Sequence, residues 1–240
     1  MQGVNLNFIG YGSGFCPSLG TTSAYYKEQD KMLIIDCGEE VYKALKNSDV
    51  LSDVKTVYFI ITHTHCDHIG SIGTLIFHLH FIKNININIV LNDNMLYKND
   101  IISYLTIVGV EPQMINIINS KEVESQFEHI NKLEFVKVEH VRNFVSYAIK
   151  ITSNNLTTYY TGDSADKQFL TQALTDKNLF RLYTDCTISK RETTHTQFDY
   201  LNTVVPNELR NKVYCMHLSH EELIAVCKQN GFQIPTKLNY

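Results

Sequence analysis

Residues 57–68 read Val57-Tyr58-Phe59-Ile60-Ile61-Thr62-His63-Thr64-His65-Cys66-Asp67-His68, and the fold turns on how they are read. The first six are apolar or β-forming and predict a buried strand over 57–62. Gly70 and an apolar, helix-like segment over 72–82 follow directly. His63 and His65 lie two apart on chain leaving a strand, so their imidazoles project to the same side. Asp67 and His68 fall at the turn into the helix and can aim at a second point close by. The N-terminus of that helix faces the same place, which favours an anionic substrate. Imidazoles and a carboxylate suit a borderline divalent cation, zinc first among them. Three histidines and an aspartate in six positions are hard to explain by packing; the competing reading is a surface histidine cluster.

The rest of the chain is compatible with one such centre. Its 240 residues contain no Gly/Ser- or Pro-rich linker, which favours a single domain over 1–240. A hydrophobic fraction of 44% is enough for a layered core. The longest nearly apolar run, 72–82, is too short to span a bilayer and carries His78 and His80, so no membrane association is expected. The start runs straight into a strand without a signal-peptide pattern, and a cytoplasmic protein is expected. Cysteines at 16, 37, 66, 186, 215 and 227 form no CxxC pair and read as free thiols of a reducing compartment. The net charge of −4 argues against a broad phosphate-tracking surface, so a nucleic-acid partner is not expected.

Along the chain, a strand over 5–9 ends in the loop Gly10-Tyr11-Gly12-Ser13-Gly14. Alone, that loop is a weak sign of phosphate binding, and a tight turn is the commoner explanation. Strands over 23–26 and 32–35 flank a polar turn, and the second ends in Asp36-Cys37-Gly38 before a short helix over 39–46. A strand over 85–91 precedes a helix over 95–108 that Asn92 or Asp93 could cap. The stretch 121–132 mixes charges and reads as a solvated helix or loop. Strands over 133–138, 147–152 and 156–161 follow, the last two joined at Asn154-Asn155. Then come a helix over 166–175, a strand over 180–183 and a helix over 198–205 stopped by Pro206. A strand ending at His217 and a helix over 221–228 close the pattern. Periodicity alone gives a mixed α/β chain.

The run His63 to His68 is the H-x-H-x-D-H motif and resembles that of the metallo-β-lactamase superfamily. The resemblance implies an αββα sandwich, with further ligands at strand ends that can be looked for. His140 after Val138-Glu139, Asp163 in Thr161-Gly162-Asp163-Ser164, and His217 after Val213-Tyr214-Cys215-Met216 match them. On that pattern His63, His65 and His140 hold one metal, Asp67, His68 and His217 the other, and Asp163 bridges. Two divalent cations are implied, zinc first and manganese as an alternative. Asp36 matches an aspartate that supports the motif without touching metal.

Flanking residues narrow the resemblance. Phe8 to Gly14, Cys16-Pro17-Ser18, Ile34 to Glu39 and His68 to Gly73 are similar to the ribonuclease Z branch. Asp185-Cys186-Thr187 resembles its H-E-A-T box with Asp185 for the glutamate, although Thr184 stands where a histidine would be. Thr194-His195-Thr196 resembles its H-S-T box, and His217-Leu218-Ser219 its closing H-x-S. The resemblance gives His195, Asp185 and Asp67 places in catalysis, with Asp185 orienting His195 as general acid. Only 22 residues separate His140 from Asp163, too few for the tRNA-gripping arm of ribonuclease Z. In length and compactness the chain resembles the phage anti-Pycsar family, which implies hydrolysis of cyclic mononucleotides to 5′-monophosphates, cCMP and cUMP first with cAMP and cGMP as further candidates, by a homodimer in a bacterial cytoplasm. A ribonuclease Z-like tRNA endonuclease and a non-catalytic nucleotide sponge are the alternatives.

Other candidates have plainer readings. His78 and His80, two apart in a helix, point different ways and cannot share a metal. Cys66 reads as a packed thiol, with a zinc-binding thiolate as the alternative. His129 reads as solvated without a partner, and His220 as a helix cap or surface residue, with a supporting place behind His217 as the alternative.

Overall fold

Among residues 3–240, which the computed structural model describes, the chain alternates short strands and helices. The first half contains β1 (Asn7–Gly10), β2 (Ser23–Glu28), β3 (Lys31–Ile35), α1 (Val41–Lys46), β4 (Thr56–Ile60), α2 (Cys66–Ile69), α3 (Ile72–Phe77), β5 (Asn86–Val90), α4 (Lys98–Ile107), β6 (Asn116–Ile118) and α5 (Ser120–Gln126). The second contains β7 (Lys132–Val138), β8 (Ser146–Ser153), β9 (Leu156–Tyr160), α6 (Lys167–Thr175), β10 (Leu179–Asp185), α7 (Phe198–Val204), β11 (Val213–Met216) and α8 (Glu222–Gln229). One sheet runs β1-β2-β3-β4-β5-β6 and the other β11-β10-β9-β8-β7. In each sheet an antiparallel three-strand portion is continued by parallel strands.

Why two sheets stack is written in the strands. Successive side chains of a strand point to opposite faces, so a strand buried on both faces is apolar throughout. In β3, Met32 and Ile34 face the helix-side cluster, while Leu33 and Ile35 face inward. In β4, Val57 and Phe59 face outward and Tyr58 and Ile60 inward. The second sheet answers with Ile149, Ile151, Tyr160, Tyr183 and Met216 toward the same inner cluster. Its other face packs Ala148, Leu182, Val213 and Cys215 under Phe169, Leu201 and Leu223 of α6, α7 and α8. The layers are therefore helix, sheet, sheet, helix, the αββα sandwich that the resemblance implies.

Edges of the sheets are tied by the end of the chain. Leu238 N–H donates to Phe8 O at 2.7 Å on the free side of β1, and Gly12 bridges Leu218. On the free side of β11, Cys215 N–H donates to Gln233 O at 2.9 Å.

Several local expectations are corrected. The segment 72–82 is not one helix: α3 stops at Phe77 and His78–Lys83 is a π-helical turn ended by Asn84 in the left-handed conformation. Neither Asn92 nor Asp93 caps α4; the Asn92 side chain instead accepts from Ser120 N–H at 2.8 Å, leaving Tyr97 at the helix start. The strand β6 escapes the pattern because it is three residues of mostly exposed sheet edge. Within 121–132, α5 is set by a capping box between Asn119 and Glu122. His129 has a partner, the Glu28 carboxylate at 2.8 Å. Cys66 is exposed, not packed. The helix after the motif begins inside it, as the single turn α2; one turn carries little dipole, so the helix-terminus argument for an anion does not stand.

Candidate active site

Strands β3, β4, β7, β9, β10 and β11 all end at one edge of the sandwich, and the chain leaving each supplies a side chain to one place. From β4 come His63 and His65, with Asp67 and His68 on α2. His140, Asp163 and His217 follow β7, β9 and β11, so all seven predicted ligands converge. The donor atoms of His63, His65, His140 and Asp163 lie within 4.8 Å of one another, as do those of Asp67, His68, Asp163 and His217.

Individual separations are close to the edge of a coordination polyhedron. His63 Nε2 and His65 Nδ1 are 3.0 Å apart, and His65 Nδ1 and His140 Nε2 3.4 Å. His217 Nε2 lies 3.2 Å from Asp67 Oδ2 and 3.4 Å from Asp163 Oδ2. Ligands about 2.0–2.1 Å from a tetrahedral zinc are themselves about 3.4 Å apart. His68 Nε2 and Asp163 Oδ1 are buried 3.2 Å apart, yet neither has a properly directed hydrogen-bond partner. Buried polar atoms without partners are costly, and a shared cation would satisfy both. The residues present fit two divalent cations.

The ring nitrogens turned away from the centre are engaged. His68 Nδ1 is 2.9 Å from Asp36 Oδ2, and His140 Nδ1–H donates to Thr194 O at 2.9 Å. Such bonds fix the tautomer and leave Nε2 free. Asp36 is fully buried; its carboxylate also accepts from Thr62 N–H at 2.7 Å and from the Thr62 hydroxyl. It therefore braces the start of the motif and its last histidine together. Asp36 and His217 both adopt left-handed backbone (φ 65° and 49°), a conformation that non-glycine residues hold only where surroundings enforce it. At Gly38 a Cβ would come within 2.0 Å of Asp67 O, so only glycine lets the β3 exit approach the motif.

Electrostatics separate the histidines. Burial pushes His63, His65 and His140 down, favouring the neutral, ligating form. Burial acts on His68 too, but Asp163 and Asp36 outweigh it and raise its pKa well above the usual value. Asp163 is held far below the carboxylate range, against burial, by His217 and His68.

His195 and Asp185 meet as predicted: Nδ1 is 2.9 Å from Asp185 Oδ2, on a carboxylate with no exposure that also accepts from Ser164 N–H at 3.1 Å. Burial alone would lower the imidazolium of His195, but Asp185, Asp163 and Glu192 push it up to about 9. Glu192 lies 3.3 Å from His195 Nε2 and was not singled out from the sequence; a half-exposed loop carboxylate carries no signature of its own. Thr194, whose carbonyl steers His140, was visible only as part of a motif. His78, His80 and His129 stand outside the cluster, and His220 is exposed, 3.0 Å from the Ser219 hydroxyl.

Over the cluster opens a cleft of about 1150 Å³. Asp67, Asp163, His195 and His217 line it, and its other charged residues are Glu39, Glu192, Glu221 and Glu222; no Lys or Arg does so among the described residues. No described helix is long and apolar enough to cross a membrane.

Comparison with known proteins agrees with this geometry. The family described as anti-Pycsar protein Apyc1 matches residues 4–234. The anti-Pycsar protein Apyc1 of Saccharibacillus brassicae is 23% identical over 223 residues, covering 89% of each chain. That of Bacillus phage BSP38 is 24% identical over 232 residues, covering 89% of this chain and 88% of its own. Among solved structures, the metallo-β-lactamase fold protein YhfI from Bacillus subtilis superposes with a TM-score of 0.68 at 19% identity, covering 98% of this chain and 96% of that one. The short form of human tRNase Z does so with a TM-score of 0.68 at 14% identity, covering 98% and 97%.

Proposed function

We propose that this chain, which belongs to the anti-Pycsar Apyc1 family, is a metal-dependent phosphodiesterase that opens 3′,5′-cyclic mononucleotides, cCMP and cUMP foremost, to 5′-monophosphates. The observation that carries the reading is a complete seven-residue ligand set beside the His195–Asp185 pair at the floor of one cleft. Residues 1–240 act as one domain, with the inner core cluster drawing on both sheets. The protein works as a homodimer in the cytoplasm of a bacterial host, a reading supported by relatives in bacteria and a Bacillus phage and by the exposed Phe81, Ile82 and Ile107 beside α3 and α4.

His63, His65 and His140 would hold one divalent cation, Asp67, His68 and His217 the other, and Asp163 would bridge. Bound there, zinc or manganese polarises phosphoryl oxygens and acidifies the attacking water. The protein's own residues do the rest. Water adds to phosphorus, the P–O3′ bond breaks, and phosphate stays on the 5′ carbon. The Asp67 carboxylate, anchored by Gly14 N–H at 3.1 Å, lies beside the centre to take the water's proton. His195 gives its Nε2 proton to the departing O3′, and Asp185 holds the ring at Nδ1 throughout.

Substrate size follows from two features. Residues between His140 and Asp163 are consumed by β8 and β9, leaving no arm to grip tRNA. An acidic cleft repels a polyanion but tolerates the single charge of a cyclic phosphodiester. Incubation of the metal-loaded protein with cyclic nucleotides and a pre-tRNA, resolved by chromatography, tests this. Cyclic mononucleotides should be opened much faster than pre-tRNA is cut. Efficient release of a tRNA trailer with cCMP and cUMP untouched would overturn the reading, and tight binding without turnover would make the protein a sponge.

A further inference from the structure

A substrate built of a phosphodiester and a base needs a second point of attachment beyond the metal centre. Phe15 has the place and the shape for it. Its ring is 99% exposed, and it lines the cleft whose floor carries Asp67 and Asp163. Apart from Phe81, the other phenylalanines among the described residues are buried or partly buried. Singly exposed apolar side chains are common, and what distinguishes this one is its place in the lining of the cleft.

The loop presenting it is firmly set. Gly14 N–H donates to Asp67 Oδ2, Cys16 N–H to Ser13 O at 2.9 Å, and Ser13 N–H to Leu218 O at 3.1 Å. Leu218 adjoins His217, so residues on both sides of Phe15 are fastened to ligand-bearing segments. Gly14 itself lies against Asp67, where a Cβ would meet the carboxylate at 3.0 Å. The backbone that carries Phe15 is thus fixed beside the metal-ligating segments, while the exposed ring is free to turn toward a base.

Charge cannot do the same work. With four glutamates and no Lys or Arg lining the cleft among the described residues, the remote part of the substrate meets no cationic side chain of that kind, and the exposed ring of Phe15 offers it a stacking face. Aromatic side chains bind any base through its π-face at small conformational cost.

We propose that Phe15 is the nucleobase platform, a subsite on which the base of a mononucleotide stacks while its phosphate sits at the metal centre. The proposal rests on the phosphodiesterase reading above and deepens it.

The chain contains no tryptophan, so Phe15→Trp places a single fluorophore at the proposed subsite. Titration with CMP should quench its emission, and ribose 5-phosphate, which lacks the base, should not. In turnover, Phe15→Ala should raise KM for cCMP about tenfold or more with a much smaller change in kcat, and Phe15→Tyr should restore it. The abasic cyclic ribose phosphate should show equal KM with either protein. Absence of quenching by CMP, or an unchanged KM in Phe15→Ala, would overturn the platform. So would a loss of dimer mass in sedimentation with KM unchanged, which would make Phe15 a contact between two copies. If wild-type protein opens no cyclic nucleotide while CMP still quenches the indole emission of the Phe15→Trp variant, the phosphodiesterase reading fails and the base subsite stands.

Discussion

At the scale of single residues, His195 makes a differential claim. Expelling O3′ creates an alkoxide, a poor leaving group, whereas p-nitrophenolate leaves without a proton. His195→Ala should therefore slow cyclic-nucleotide hydrolysis about 10²–10⁴-fold, yet leave bis(p-nitrophenyl) phosphate nearly unaffected and metal content intact. Equal loss on both substrates, or loss of metal, would make His195 a ligand or a structural residue. The meeting of this residue with Asp185 and the convergence of the seven candidate ligands were legible in the sequence because their chemistry forces a spacing: short motifs at strand ends, each with few acceptable side chains. Phe15 and Glu192 were not legible. An exposed aromatic and a loop carboxylate matter only through what stands opposite them, and that is fixed by the fold.

Secondary-structure elements show where local rules hold and where tertiary ones override them. The two-faced burial of β3 and β4 made them readable as apolar runs, whereas β6 and the π-helical turn are set by neighbours and leave no periodic trace. The His129–Glu28 pair was missed for the same reason: the partners are 101 residues apart. Glu28, at the end of β2, accepts from Glu128 N–H at 2.6 Å and from both the backbone and the ring of His129. Burial would raise its pKa, but these hydrogen bonds lower it below the ordinary glutamate value. A depressed folded-state pKa means stability that is present above the unfolded value of about 4.3 and lost as pH falls through the folded one. Glu28→Gln should lower Tm by a few degrees at neutral pH and remove part of the acid-side decline below about pH 4. Melting curves between pH 3 and 7 check both; parallel curves for the two proteins would show that the clip contributes nothing.

For the whole molecule, the candidate ligand set joins its halves, since Asp67 and His68 follow a strand of the first sheet and His140, Asp163 and His217 strands of the second. Elemental analysis should find close to two transition-metal ions per chain, and Asp163→Ala should lower that occupancy and abolish hydrolysis. Cations bound only by the folded chain should raise Tm on the order of 10 °C over the chelated protein at saturating metal. A chelated preparation that melts identically and keeps full activity would exclude the dinuclear centre. The tie between Phe8 and Leu238 has a consequence for biosynthesis. Phe8, on the open side of β1, is made about 230 residues before Leu238, which covers it. At about 5–20 residues per second, the nascent chain carries that bare edge for on the order of ten to fifty seconds. Throughout that interval β1 is a template for pairing with a neighbouring nascent chain, and slower translation lengthens the exposure.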